Sequence, residues 1–264
     1  MDWTQELELL EGTIRAAGAE ALRLADDGFE TIKKSDQSPV TSADLAVNRI
    51  LHTHLLSVFP HDGWLSEESP DDAVRLQKDR VWVVDPIDGT KAFINKVPEF
   101  CISVALIEHG QPIVAVIYNP STKELLSATR GGGLRLNRKL VDSLQPNTRQ
   151  QPVIGLSSWE RQIGRFAALE ATTQYRPMLS IAWSLALMAC GHIDAVATCE
   201  PENEWDVAAG VLLINEAGGT ITDGSGQPLT FNRPTPRYRG IIATSPCCPD
   251  SLAQELSRLV PASG

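Results

Sequence analysis

The chain has 264 residues, 42% of them apolar and 21% charged, and its 23 Lys plus Arg against 33 Asp plus Glu give a formal net charge of −10. That apolar fraction can build a core for one large domain or two packed lobes, which excludes a disordered chain. The acid excess excludes a nucleic-acid polymer as partner, because such binding draws its affinity from Lys and Arg neutralising phosphates.

Leu7, Leu10, Ile14, Ala17, Ala21 and Leu24 recur at steps of three and four, predicting an amphipathic helix that ends near Asp26-Asp27-Gly28. Lys33 to Thr41 is polar and turn-rich and reads as a loop or hairpin. Ser42 then caps a second helix carrying Leu45, Asn48, Leu51, Leu55 and Val58, closed by Phe59-Pro60. After this the period changes. Gly63 to Ser66 is a short strand running into Glu67-Glu68, and Val81 to Val84 is an uninterrupted apolar strand, as expected where both faces are buried. Ile102, Val104 and Leu106 alternate up to a turn at Glu108 to Pro112. Ile113 to Tyr118 and Glu124 to Thr129 continue the meander until Arg130-Gly131-Gly132-Gly133 breaks it. The first half is a sheet with helices on one face.

Asp142 to Gln151 is polar, with Pro and Asn, and reads as the junction between lobes. Beyond it come a strand at Val153 to Leu156, a helix from Arg161 to Ala171, a helix from Ser180 to Cys190 and a strand at Asp194 to Thr198. A helix from Asp206 to Glu216, strands at Thr220 to Thr222 and Ile241 to Thr244, and a final helix from about Pro249 complete the chain. The expectation is an α/β protein of two lobes: residues 1–145 as sheet plus helices carrying most of the chemistry, and residues 146–264 as an α/β lobe contributing Asp206 and substrate contacts.

Cys101, Cys190, Cys199, Cys247 and Cys248 show no CxxC pair and read as reduced thiols. His52, His54, His61, His109 and His192 are scattered and read as surface or packing residues, so a histidine-based mechanism is not expected. No window approaches eighteen uncharged apolar residues, and the first residues, MDWTQELELLEG, are acidic where a secretory signal is basic and then apolar. No membrane partner and a cytoplasmic location are expected.

The chemistry gathers at Asp85-Pro86-Ile87-Asp88-Gly89-Thr90, directly after the apolar strand. Buried carboxylates need their charge neutralised, and Mg²⁺ takes hard carboxylate, carbonyl and phosphate oxygens. Gly89 and Thr90 offer amides at a helix start, where a phosphate can sit. A solvated, helix-capping turn with Asp at its ends is the plain alternative. Glu67-Glu68, Asp44 and Asp206 have equally plain readings one by one, as a solvated pair, a helix-dipole partner and an N-cap.

Taken together, VTSAD (Val40 to Asp44), SEES (Ser66 to Ser69), WVVDPIDGT (Trp82 to Thr90) and EWDVAAG (Glu204 to Gly210) resemble the inositol monophosphatase superfamily of Mg²⁺-dependent, lithium-sensitive phosphatases. The resemblance runs from the first helix to Glu216-Ala217-Gly218-Gly219. It implies a layered αβαβα sandwich of the inositol monophosphatase and fructose-1,6-bisphosphatase type, with the site between the lobes. It further implies that Glu67, Asp85 and the Ile87 carbonyl hold one metal and that Asp85, Asp88 and Asp206 hold a second. Glu67 and the Thr90 hydroxyl would activate water, Asp44 would orient Thr90 or assist a third metal, and the Gly89 and Thr90 amides would bind phosphate. Two or three Mg²⁺ per site would supply the positive field that the chain lacks.

Lys34 to Thr41, the DGTKAF stretch and Pro201 ahead of Trp205-Asp206 are more similar to the bacterial 3′(2′),5′-bisphosphate nucleotidase branch than to the inositol branch. That similarity implies cleavage of adenosine 3′,5′-bisphosphate to AMP and phosphate. The chain departs from the branch at Ser184, where those nucleotidases carry a lysine, which keeps inositol phosphate and histidinol phosphate in play. Lys91 and Arg176 are the other candidate substrate contacts, each with a solvated alternative. A haloacid-dehalogenase-type site is a poor match, because one residue separates its acids and two separate Asp85 from Asp88. A catalytically inactive binding relative would be expected to lack one of Glu67, Asp85, Asp88, Thr90 or Asp206, and all are present. The expected partner is a small phosphorylated metabolite, and the expected assembly a monomer or homodimer.

Overall fold

The computed structural model describes residues 3–34, 38–141 and 149–261. The division at 145/146, and Ser35 to Gln37 of the expected hairpin, lie outside the described residues. The first helix, α1 (Thr4–Asp27), is followed by β1 (Thr31–Lys33), which pairs antiparallel with β2 (Pro39–Thr41) as the hairpin the polar segment allows. Next come α2 (Ser42–Val58), β3 (Gly63–Ser66), β4 (Arg80–Asp88), the short α3 (Thr90–Ile94), β5 (Cys101–Glu108), β6 (Gln111–Asn119), β7 (Glu124–Thr129), β8 (Leu134–Leu136) and β9 (Lys139–Leu140). The second half contains β10 (Val153–Leu156), α4 (Ser158–Gln162), β11 (Gln174–Pro177), α5 (Ile181–Ala189), β12 (Ala195–Asn203), α6 (Glu204–Glu216), β13 (Thr220–Asp223), β14 (Arg237–Thr244) and α7 (Asp250–Leu259).

β3 to β9 form a seven-stranded sheet in chain order, with β3 and β4 parallel and the remaining neighbours antiparallel. Because successive side chains of a strand face opposite ways, Trp82 and Val84 pack with α1 and α2, while Val81 and Val83 pack with α5 and α6. The meander therefore has helices on both faces, the second pair supplied by the second half. The five-stranded sheet, ordered β11-β10-β12-β14-β13, lies beyond α5 and α6. Its outer face carries Ile154, Leu156, Ala195 and Ala197 against Leu252 and Leu256 of α7. The layers run α, β, α, β, α, as the sequence resemblance implies.

Three details correct the sequence reading. The N-cap of α2 is Thr41, not Ser42: its hydroxyl accepts from the Ala43 and Asp44 amides, and Asp44 answers to the Thr41 amide in a capping box. The buried stripe of α2 is Ala43, Val47, Leu51 and Leu55, while Leu45 and Val58 are exposed. The helix expected from Arg161 to Ala171 shrinks to Ser158–Gln162, because Gly164 adopts φ 74°, outside helical space, and 3-10 turns follow.

α6 sits in the central layer, packed on β4 to β7 on one side and on β12 and β13 on the other, and is buried almost all round. Its Gly210 is required by a close crossing, since a Cβ there would lie 2.6 Å from Leu185 Cδ1 of α5. Among the described residues no helix is long and apolar enough to cross a membrane.

Candidate active site

A strand cannot ordinarily aim residues three apart at one side, because its side-chain period is two. β4 does so through a bulge. Its register against β5 pairs Asp85 with Ser103 but Asp88 with Cys101, so one extra residue is inserted where Pro86 has no N–H to give the ladder. Oxygens of Asp85 and Asp88 thus come within 4.8 Å of each other and of Asp206, which stands on the first turn of α6. The strand then turns at Gly89, with φ 89°, where an L side chain is disfavoured and a Cβ would press within 3.0 Å of the Glu99 carbonyl and of Ser180 Cβ.

Asp85, Asp88 and Asp206 are each held through one oxygen, and Asp44 through both. The Asp85 Oδ1 accepts from the Ile87 amide at 3.0 Å. Asp88 Oδ2 accepts from the Ser180 hydroxyl and the Ala182 amide, both at 2.6 Å. Asp206 Oδ2 accepts from the Asn203 amide at 2.6 Å and its side-chain amide at 3.2 Å. Asp44 Oδ2 accepts from the Thr41 amide at 2.8 Å and its hydroxyl at 2.5 Å, and Asp44 Oδ1 lies 3.3 Å from the Thr90 hydroxyl. The Thr90 hydroxyl is also 3.1 Å from the Ile87 carbonyl oxygen. Capping interactions of this kind orient a carboxylate while leaving its second oxygen for another partner.

Glu67 follows β3, which runs parallel to β4, so the two acidic strand ends lie side by side. The turn is anchored by Asn48 of α2, which donates to the Glu68 carbonyl at 3.1 Å and accepts from Ser66 Oγ at 2.8 Å. Lys34, from the hairpin, reaches Glu67 Oε1 at 2.8 Å and Glu68 Oε1 at 2.5 Å.

The electrostatics are strained by design of the acid set. Burial above all, then the charges of Glu67, Asp88, Asp206 and Asp44, raises Asp85 well above the usual carboxylate range. Burial raises Asp206 likewise, with Asp88 the next cause. Asp88 is pushed up to about 6 by burial, against the bonds from Ser180 and Ala182. Glu202 on β12 is raised by burial and then by the charges of Asp206 and Asp88. Burial disfavours the Lys34 ammonium, but Glu67 and Glu68 outweigh that and raise it. Hard oxygen donors that repel one another at this range fit a divalent cation such as Mg²⁺.

Of the candidate substrate contacts, Lys91 is exposed on α3. Arg176 is paired with Glu99 at 2.7 Å. Ser184 is buried and donates to the Ser180 carbonyl at 2.8 Å, within its own helix. All five histidines are exposed, and no disulfide joins the five cysteines. Sequence reasoning missed Lys34, Asn48, Ser180, Asn203 and Glu202. A capping-box pattern, Asn203 with Asp206, was available for one of them; the others depend on tertiary contacts.

The model of the inositol monophosphatase family matches residues 2–262. The 3′(2′),5′-bisphosphate nucleotidase CysQ of Escherichia coli O157:H7 is 33% identical over 228 residues, covering 84% of this chain and 91% of that protein. The inositol-1-monophosphatase of Bacillus subtilis is 30% identical over 238 residues, covering 87% and 89%. The solved structure of a Thermotoga maritima IMPase superposes with a TM-score of 0.85 at 26% identity, covering 97% of this chain and 98% of that one.

Proposed function

The chain belongs to the inositol monophosphatase family and is a phosphatase, and on that premise we propose that it hydrolyses a small phosphomonoester with Mg²⁺ held by Asp85, Asp88, Asp206, Glu67 and the Ile87 carbonyl. The observation that carries the reading is the convergence of Asp85, Asp88 and Asp206 within 4.8 Å beside the Gly89-Thr90 turn. Two or three such ions would supply positive charge against the phosphate and favour ionisation of water, functions the side chains here cannot provide.

The chain's own residues do the rest. Thr90, braced by Asp44, orients the attacking water through its hydroxyl. Glu67 keeps its second oxygen beyond the Lys34 bond and takes the water's proton. The Gly89 and Thr90 amides hold phosphate oxygens, water attacks phosphorus, the ester P–O bond breaks, and the departing alkoxide takes a proton from solvent, to which Glu67 returns the one it took from the attacking water. Asp206 belongs to the lobe proposed for residues 146–264, the other acids to that proposed for residues 1–145, so the site lies at their junction.

For the substrate we rank a 3′(2′),5′-bisphosphate nucleoside first, on the similarity to CysQ and on the loop from Lys34 and the DGTK turn. A second reading, a polyol or amino-alcohol monophosphate such as inositol or histidinol phosphate, draws support from two observations. Arg176 is engaged by Glu99, and Ser184 faces its own helix, so neither is poised as a donor to a second phosphate. A cytoplasmic location fits either. The test is phosphate release from adenosine 3′,5′-bisphosphate, inositol 1-phosphate and histidinol phosphate, with Mg²⁺ and with EDTA. The first reading expects the bisphosphate to have the highest kcat/KM and EDTA to abolish turnover. A faster monophosphate reverses the ranking, and turnover in EDTA removes the metal reading.

A further inference from the structure

Asp88 belongs to the first half of the chain, but its side chain is held by the second. Ser180 is 3% exposed and is the N-cap of α5. Its hydroxyl accepts from the Trp183 amide at 3.0 Å and donates to Asp88 Oδ2 at 2.6 Å. A hydroxyl has one proton, and here that proton goes to Asp88 while a lone pair closes the helix. The Ala182 amide adds a second donor to the same oxygen at 2.6 Å. Ser180 Cβ also backs the αL turn, standing 3.0 Å from where a Cβ on Gly89 would be, so one residue touches both Asp88 and the turn that bears Thr90.

We infer that Ser180 is a positioning residue for the metal site: it fixes one oxygen of Asp88, sets the plane of that carboxylate, and so turns the remaining oxygen to serve beside Asp85 and Asp206. The inference rests on the proposed reading of Asp88 as a metal ligand. A helix cap alone would have no such effect, and the fold contains a matched control. Ser157 caps α4 in the same manner, accepting from the Glu160 amide at 3.1 Å and donating to Glu160 Oε2 at 2.9 Å.

The test is calorimetric titration of Mn²⁺ into EDTA-stripped protein, comparing wild type with Ser180→Ala, Ser180→Gly, Ser180→Thr, Ser157→Ala and Asp88→Asn. Losing an outer partner of a metal ligand costs about 10–100-fold in affinity, and that loss is expected for Ser180→Ala and Ser180→Gly. Glycine is tolerated at an N-cap, so Ser180→Gly removes the donor with little loss of the cap and carries the test if the alanine variant fails to fold. Ser180→Thr should restore Mn²⁺ binding, and Ser157→Ala should leave it at the wild-type value. Wild-type affinity in Ser180→Gly, or no rescue by threonine, overturns the inference. Wild-type affinity in Asp88→Asn would instead remove the reading of Asp88 on which it stands.

Discussion

The two ends of β4 treat acids in opposite ways. At its start, Arg80 gives Nε and Nη2 to Asp62 at 3.0 and 2.9 Å and Nη1 to Glu6 at 2.7 Å, and its guanidinium lies 5.0 Å from the Phe59 ring centroid. The Trp82 indole adds a further donor to Asp62 at 3.0 Å. At its end, Asp85 and Asp88 face each other and Asp206, with helix amides and hydroxyls as donors and Lys34 engaged at Glu67 and Glu68. The first end is neutralised within the protein. The second gathers three buried or half-buried acids with no cation paired to them among the described residues, which is the arrangement the proposed metal would complete. On that proposal, one strand separates charges that maintain the fold from charges that serve the reaction.

The largest effect that sharpens the contrast is expected from Asp85→Asn, which should lower kcat/KM about a thousandfold or more, near 4 kcal/mol of transition-state stabilisation. Asp206→Asn should cost less. An Asp85→Asn enzyme as fast as wild type in a phosphate-release assay would erase the distinction between the ends. Next comes Thr90→Ala, which keeps the amide and loses the hydroxyl. Its kcat should fall about a hundredfold with KM little changed, the signature of an interaction made in the transition state. A raised KM with unchanged kcat would reassign Thr90 to binding.

At the other end, Arg80→Ala leaves Asp62 and Glu6 without their cation, and because their side chains are only 7% and 10% exposed while Arg80 itself is 21% exposed, the loss should cost about 2–3 kcal/mol of stability, somewhat less than for a fully buried pair. The melting temperature should drop by about 5–10 °C at an unaltered kcat, since 1 kcal/mol moves a chain of this size by about 2–4 °C. Lost activity in the folded variant would join the two ends into one network.

The smallest effect has the opposite sign. Asp88 is near 6 in the folded chain against 3.8 as the ordinary value, so the folded state binds the proton more tightly. Its favourable contribution is present below pH 3.8 and is lost as pH rises through about 6. Asp206 is itself raised, by burial and then by Asp88, the largest charge acting on it, so relieving that repulsion by Asp206→Asn should raise the metal-free melting temperature at pH 7.5 by about 2–4 °C, roughly 1 kcal/mol. Mg²⁺ should reverse the order of the two proteins. A lower melting point for Asp206→Asn in EDTA would show that its bonds to Asn203 outweigh the repulsion.

What was legible followed from how local the cause is. The strand before Asp85 and the Gly89 turn are written in consecutive residues, so their placement could be read directly, whereas α6 begins at Glu204 with Asn203 as its cap, ahead of the start and cap expected at Asp206. The αβαβα layering and the proposed ligand set came from the family resemblance that four motifs carry, and the structure brings Asp85, Asp88 and Asp206 of that set together. The cap of α2 was misread because Thr41 and Ser42 are both competent caps, and only Asp44 in the reciprocal bond selects Thr41. Arg161 to Ala171 looked helical through its apolar residues although Gly164 stands inside it. Arg176 and Ser184 were chosen by position, and their side chains answer to Glu99 and the Ser180 carbonyl, neighbours that spacing does not reveal. Lys34, Asn48 and Ser180 act across distances of about twenty to ninety residues, which only folding brings together.

The central position of α6 has a consequence for how the protein opens. Both ends of this helix are tied down, Asp206 to Asn203 at one and Glu216 to the Gly131 and Gly133 amides, at 2.7 and 2.8 Å, at the other. Between them Val207 to Ile214 is enclosed by two sheets, so no partial opening of one sheet alone wets its backbone. Its amides should exchange with deuterium only when the whole chain unfolds, and should set the ceiling of protection for the molecule. The exposed helix α4, by contrast, can fray without disturbing them. A phosphatase built this way would hold its distant aspartate in register through every motion short of complete unfolding.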